Sequence, residues 1–172
     1  MPETFFHNKA AVVTGAGGTL CSAVAIELAR LGAKVALLGR TLEKMQPVAA
    51  TIRDDGGAAL PLSVDVTDAV AVENARRCLA QQLGPCVLLV NGAGGNHPDA
   101  VTTTTEFQAA EISDARPDNL RGFFQLAPDR LLEVIKVNTL GTLVPCQVFG
   151  REMPPEKMVE LAKRIGCGSL IS

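Results

Sequence analysis

Two stretches concentrate the residue types that could do chemistry. Thr14-Gly15-Ala16-Gly17-Gly18-Thr19-Leu20 follows the apolar run 10–13 and precedes an amphipathic segment, which is how a strand feeds a helix. Small residues in such a turn let backbone amides approach a ligand closely. The helix N-terminus behind the turn adds partial positive charge, so the chemistry is that of a pyrophosphate site. Asn91-Gly92-Ala93-Gly94-Gly95-Asn96-His97-Pro98 is a second glycine-rich turn after another apolar run, and it adds two amides and an imidazole. An imidazole in a cleft can bind substrate or carry a proton near neutral pH, whereas a loop histidine can equally be structural. Glycine-rich turns also join strands to helices in proteins that bind no nucleotide, so neither stretch decides the matter alone.

The elements that must position these turns alternate strictly. Residues 10–14 read as a buried strand and 18–31 as a helix that Gly32 stops. A strand over 34–38 ends at Gly39-Arg40, and Thr41 can cap a helix over 42–54 that Gly56-Gly57 closes. A third strand runs from Ala58 to Val64. Asp65-Val66-Thr67-Asp68 then leads into a helix to about Leu83, Gly84-Pro85 breaks it, and 86–90 is a wholly apolar fourth strand. Strands apolar on both faces need helices on both sides, so the pattern predicts a doubly wound parallel sheet, a three-layer α/β/α Rossmann architecture. In such a sheet, ligands bind outside the carboxyl ends of the strands. Four turns fall on that edge, 15–21, 39–41, 65–67 and 91–98, and their co-occurrence carries more weight than any one of them.

Beyond the fourth strand the pattern changes. Residues 91–127 form a long polar connection that includes the run Thr102-Thr103-Thr104-Thr105, which reads as a solvated loop. A helix is expected from Pro128 to Glu152, with Leu131, Leu132, Ile135, Leu140, Leu143 and Val144 apolar, and Pro154-Pro155 ends it. A short helix over 156–165 and the start of a strand over 169–172 follow.

Composition narrows the function classes. The 172 residues carry 47% hydrophobic residues and a net charge of −2, enough apolar material for one domain and no basic stripe for nucleic acid. No apolar run reaches membrane-spanning length, and Met1-Pro2-Glu3-Thr4 begins no signal peptide. Five cysteines, Cys21, Cys78, Cys86, Cys146 and Cys167, are odd in number and lack metal-ligand spacing. They read as small core residues in a reducing compartment, so a cytoplasmic location and no metal are expected. His7, before the first strand, reads as inert. Glu106, Glu111, Asp114 and Asp118 form no pair on one face, which leaves a two-carboxylate hydrolase unsupported.

The chain resembles the short-chain dehydrogenase/reductase family from Lys9 onward. The residues that carry the resemblance are Thr14 to Leu20, Asp65-Val66, Asn91-Gly92-Ala93-Gly94, and Asn138 within Val137-Asn138-Thr139-Leu140-Gly141. The octapeptide 91–98 is similar to that of the D-mannonate oxidoreductase (fructuronate reductase) branch. Thr19 and Cys21 depart from the commoner family form, which has glycine at these places. The resemblance implies a nicotinamide dinucleotide lying across the strand ends, with Gly15, Gly17, Gly18, Thr19 and Leu20 around the pyrophosphate and Asp65 and Val66 at the adenine. Asn91, Ala93 and Gly94 would support the central strand and the ribose side. It further implies a catalytic role for Asn138, bending its helix and holding a water in a proton relay, although a mid-helix asparagine can also bond its own backbone. The branch implies a sugar acid or related polyol as substrate, near Asn96 and His97, and a homo-oligomer in the full-length form.

Charge bears on the cofactor. An acid at the end of the second strand would bind a ribose 2′-hydroxyl and repel a 2′-phosphate; here Gly39 stands there and Arg40 follows, which favours NADP while leaving NAD possible. The family also uses a serine and a Tyr-x-x-x-Lys pair to move the proton. This chain has no tyrosine. The expectation is therefore the N-terminal two-thirds of a longer oxidoreductase, a single dinucleotide-binding domain that is inactive alone. The alternative is a non-catalytic dinucleotide-binding or oligomerisation module.

Overall fold

The computed structural model describes residues 5–153. Strands β1 (Ala10–Thr14), β2 (Lys34–Gly39), β3 (Ala58–Ser63) and β4 (Cys86–Val90) form one parallel sheet in the order β3-β2-β1-β4. Helices α1 (Thr19–Arg30), α2 (Leu42–Asp54) and α3 (Ala69–Gln82) make the crossovers. The chain moves outward from β1 to β3 and then returns to add β4 on the other side of β1. That reversal opens a crevice at the carboxyl ends of β1 and β4, where ligands of doubly wound sheets bind. The expected fold class is the observed one.

Period-two alternation distributes the core. Ala11, Val13, Val35 and Leu37 pack against Ala25 and Leu28 of α1 and against Met45 and Ile52 of α2. Ala10, Val12, Ala36 and Leu38 face the other way, onto Val72 and Leu79 of α3 and onto Val148 and Phe149. β1 and the interior of β2 are thus buried on both faces, and each large side chain so buried contributes about 1.5–3 kcal/mol. β4 departs from the expectation of full burial. Val87 is 38% exposed, because β4 is the edge of the described sheet.

Local chemistry explains most helix boundaries. Gly32 and Gly56 take φ of +89° and +82° after α1 and α2, conformations that favour glycine. Asp68 caps α3, its carboxylate accepting from the N–H groups of Val70 and Ala71 at 2.8 and 3.1 Å. Thr41 occupies the cap position of α2, but its hydroxyl makes no capping bond, contrary to expectation. Helix α4 (Pro128–Phe149) ends sooner than Glu152, with Gly150–Glu152 as a 3-10 turn. Its apolar residues do not all serve the core. Gly141, Pro145, Val148 and Phe149 are buried, whereas Leu132, Ile135 and Leu143 are exposed.

The connection 91–127 is folded. Thr103 and Arg121 close it with three hydrogen bonds: Thr103 N–H and hydroxyl donate to the Arg121 carbonyl at 2.9 and 3.3 Å, and Arg121 N–H donates to the Thr103 hydroxyl at 3.0 Å. Arg121 also pairs with Asp99 at 2.8 Å. Glu111 is buried inside the loop and accepts from the Gln108 N–H at 2.9 Å. The threonine run is solvated as expected, with Thr102, Thr103 and Thr105 exposed, and Thr103 also braces the loop. Cys21 and Cys86 are buried free thiols, as expected of core cysteines, but Cys146 is exposed. Burial pushes the Cys86 thiol up to about 12. The expected stop at Pro154-Pro155, the helix 156–165 and the strand 169–172, with Cys167, lie outside the described residues.

Candidate functional site

A cleft of about 280 Å³ opens at the carboxyl edge of the sheet. All four turns placed on that edge by the sequence border it. Gly15, Gly17 and Gly18 come from the first, Gly39, Arg40 and Thr41 from the second, Asp65 and Val66 from the third, and Gly92, Ala93 and Gly94 from the fourth. Lys44 of α2 and Val137 of α4 complete its walls. Another concavity, between α1 and α2, holds about 20 Å³, room for little more than one water.

The glycines do more than admit a ligand. Gly15 has φ of +67°, and a Cβ there would fall 2.5 Å from the Gly92 carbonyl oxygen. A Cβ at Gly17 would fall 2.8 Å from Cβ of Lys44, and one at Gly94 would fall 2.6 Å from Oδ1 of Asn138. These residues are small because the turns must fit one another, a reason the sequence pattern did not reveal. Turn one is fastened by Gly18 N–H to the Gly15 carbonyl at 2.9 Å and by Ala16 N–H to the Leu38 carbonyl at 3.2 Å. No side chain caps α1, so donors of its first turn remain available to an anion at the cleft. Thr14, fully buried, accepts at its hydroxyl from Gly92 N–H at 3.0 Å and Ala93 N–H at 3.1 Å. It locks the first turn to the fourth.

The third turn is preset electrostatically. Asp65 accepts from the Thr67 N–H at 2.9 Å and the Thr67 hydroxyl at 2.8 Å through one oxygen. The backbone bond from Thr67, with help from the Arg40 and Lys136 charges, holds its carboxyl below the usual carboxylate range. Val66 beside it is buried and offers an apolar wall. Arg40 and Lys44 make no salt bridge among the described residues, although the Arg40 charge reaches Asp65 across the cleft.

Asn138 closes the fourth turn. Its Nδ2 donates to the Gly95 carbonyl at 2.7 Å and to the Val134 carbonyl at 2.8 Å, while its Oδ1 accepts from Gly95 N–H at 3.4 Å. It thus bonds its own helix backbone and clamps the glycine turn at once. Asn91 donates to Cys146 Sγ at 3.1 Å, and its buried Oδ1 has no partner among the described residues. Thr19, Leu20, Asn91, Asn96, His97 and Asn138 stand outside the lining of the cleft. Leu20 is 77% exposed. Asn96 accepts from His97 N–H at 2.9 Å, and His97 Nδ1 accepts from Asp99 N–H at 3.1 Å, so the imidazole caps the short turn Pro98–Ala100. Sequence reasoning missed Lys44, Val137 and the Thr14 hydroxyl. Lys44 lies in the first turn of α2, two residues into the helix that follows the second turn, and that place could have marked it.

Among the described residues there is no group of three metal-ligating side chains, and no helix is long and apolar enough to cross a membrane. The short chain dehydrogenase family profile matches residues 9–159. The chain belongs to that family. An uncharacterized oxidoreductase, UxuB, of Bacillus subtilis (strain 168) is 43% identical over 146 residues, which is 85% of this chain and 50% of the relative. A Haemophilus influenzae protein named as a D-mannonate oxidoreductase, whose crystal structure has bound NAD, is 36% identical with a TM-score of 0.79, over 86% of this chain and 51% of that one. A metagenomic short-chain oxidoreductase in complex with NADP superposes with a TM-score of 0.68 at 24% identity, over 86% of this chain and 57% of that one, a likeness of fold. This short-chain dehydrogenase chain thus spans about half the length of these Bacillus subtilis and Haemophilus influenzae relatives. Its glycine turns, Asp65-Val66 and Asn138 all fall within the matched residues.

Proposed function

We propose that this chain is the cofactor-holding part of a short-chain oxidoreductase that interconverts a hydroxyl and a carbonyl on a sugar acid such as D-mannonate or fructuronate, with NADP preferred and NAD possible. The observation that carries the reading is the convergence of four strand-end turns on one cleft, with an uncapped helix N-terminus and the cations Arg40 and Lys44 along it. When bound, the dinucleotide supplies a hydride donor or acceptor. The residues Gly15, Gly17, Gly18, Thr19 and Leu20, with the first turn of α1, would hold its pyrophosphate. Asp65 and Val66 would hold the adenine, Arg40 the ribose phosphate, and Asn91, Ala93 and Gly94 the second ribose. Asn138 would fix the Gly95 backbone and hold a water in a proton relay. Asn96 and His97 would bind the substrate, for which the Haemophilus influenzae relative named for D-mannonate is the support.

The reading extends to the whole protein. No tyrosine occurs in these 172 residues, so the proton donor that family chemistry needs is not supplied here, and the chain alone is expected to bind cofactor weakly without turnover. A cytoplasmic location and a homo-oligomer accompany the proposal; Leu132, Ile135 and Leu143, exposed on α4, support an assembly through that helix. Titration of the chain with NADPH and NADH, followed by assay of fructuronate reduction, tests the proposal. Binding without turnover is expected. Absence of binding to either nucleotide would overturn the cofactor assignment, and reduction of fructuronate by this chain would overturn the inactivity.

A further inference from the structure

We infer that Asn91 is a latent modification site, where the Gly92 nitrogen closes onto the Asn91 amide to form a succinimide once the Thr14 clamp opens. The inference stands apart from the cofactor reading. Asn91-Gly92 is the one Asn-Gly pair in the chain; Asn8, Asn74, Asn96, Asn119 and Asn138 precede Lys9, Ala75, His97, Leu120 and Thr139. Glycine has no Cβ to hinder the approach of its nitrogen, which makes this pair the reactive one. In the reaction the Gly92 nitrogen attacks Asn91 Cγ, a new N–Cγ bond forms and the Cγ–Nδ2 bond breaks. Ammonia leaves with the former Gly92 amide proton. Water then opens the ring at either carbonyl, which yields aspartate or isoaspartate with no oxidation or reduction.

The fold holds each reacting group. The nucleophile is occupied: Gly92 N–H donates to the buried Thr14 hydroxyl at 3.0 Å, which pins the nitrogen and the proton that must leave it. Ala93 N–H, on the same oxygen at 3.1 Å, holds the next peptide. The leaving group is occupied as well, with Asn91 Nδ2 donating to Cys146 Sγ at 3.1 Å. Negative charge would develop on Asn91 Oδ1 during attack, and that atom is buried with no donor among the described residues, so the charge is unrelieved. Cys21 Sγ fills the space beside Gly92 that a side chain would need, which confines the glycine further. Isoaspartate would add a methylene to the main chain just before Gly92, Ala93 and Gly94, which border the cleft. The modification therefore displaces one wall of the site.

The experiment incubates the folded chain at mildly alkaline pH and follows the peptide that contains Asn91 by mass spectrometry, reading the mass gain of an amide-to-acid exchange. Urea-unfolded chain supplies the unprotected rate. Folded wild type is expected to convert at least about a hundredfold more slowly, the combined effect of two hydrogen bonds on the reacting groups. Thr14→Val should raise the folded-state rate about tenfold, the share of one hydrogen bond, and Thr14→Ser should keep the wild-type rate. Val72→Ala, a core truncation in α3 that destabilises the fold away from Asn91, should change the rate less than about threefold. Circular dichroism establishes that each variant is folded. Equal acceleration by Thr14→Val and Val72→Ala would assign the protection to global stability and overturn the inference. An unchanged rate in folded Thr14→Val would do the same, as would folded wild type converting as fast as the unfolded chain. Amide hydrogen exchange at Gly92 needs no variant: protection is expected in wild type, and exchange at the rate of an open loop would overturn the clamp.

Discussion

The buried hydroxyl of Thr14 accepts the Gly92 N–H at 3.0 Å, joining the end of β1 to the turn after β4 across 78 residues. It accepts the Ala93 N–H at 3.1 Å as well, so one side chain satisfies two backbone donors beside the cleft. Thr14→Val keeps the shape and strands both donors. The expected cost is about 2–3 kcal/mol in urea unfolding, with Thr14→Ser recovering most of it. A loss under about 0.5 kcal/mol would mean that water reaches these groups.

Gly15 and Gly56 separate backbone strain from crowding. Both have positive φ, but a Cβ at Gly15 meets the Gly92 carbonyl at 2.5 Å, whereas one at Gly56 meets nothing within 4 Å. Gly56→Ala should cost about 1 kcal/mol, the intrinsic price of the left-handed region. Gly15→Ala should cost at least about twice as much, and should also weaken dinucleotide binding because β1 and β4 must part. Paired denaturation curves check the ordering.

Asn138 bridges α4 and the fourth turn through both ends of its amide. Asn138→Asp keeps the acceptor but loses the donor to the Gly95 carbonyl, placing two oxygens 2.7 Å apart. Amide hydrogen exchange at Gly94 and Gly95 should quicken in this variant while β2 stays protected. Unchanged exchange would show that the turn holds itself.

Acid should loosen the α3 surface. The Arg76 hydrogen bond holds the Glu73 carboxyl at about 2, below its ordinary 4.5. A depressed carboxylate stabilises the fold above its unfolded pKa and loses that contribution as protons bind. Stability should therefore decline between about pH 4.5 and pH 2, and Glu73→Gln should flatten that part of the profile. Thermal unfolding across this range tests the sign.

Much of the fold was legible because local rules agree. Apolar runs of strand length, helical periodicity between them and the stops at Gly32 and Gly56 dictate alternating elements, and strands apolar on both faces require two helical layers. The burial of Val12 and Leu38 on one face and Val13 and Leu37 on the other follows from period-two alternation. The cleft-lining residues Gly15, Gly17, Asp65 and Gly94 were marked by their place after strands. Arg40 was marked by charge.

Only the tertiary structure decided the rest, since it depends on which distant residues meet. Gly17 is confined by Lys44, Gly94 by Asn138 and Gly15 by Gly92, and none of these pairs is local in sequence. Lys44 entered the site because α2 folds back over the first turn, and Leu132 and Ile135 of α4 remained exposed because only one stripe of that helix meets the sheet and α3. Sequence by itself determined the elements, their alternation and the edge on which a ligand would lie, because backbone geometry and hydrophobic burial act along the chain. Tertiary structure decided which side chains face one another across that edge, because those contacts arise only when separate turns share one space.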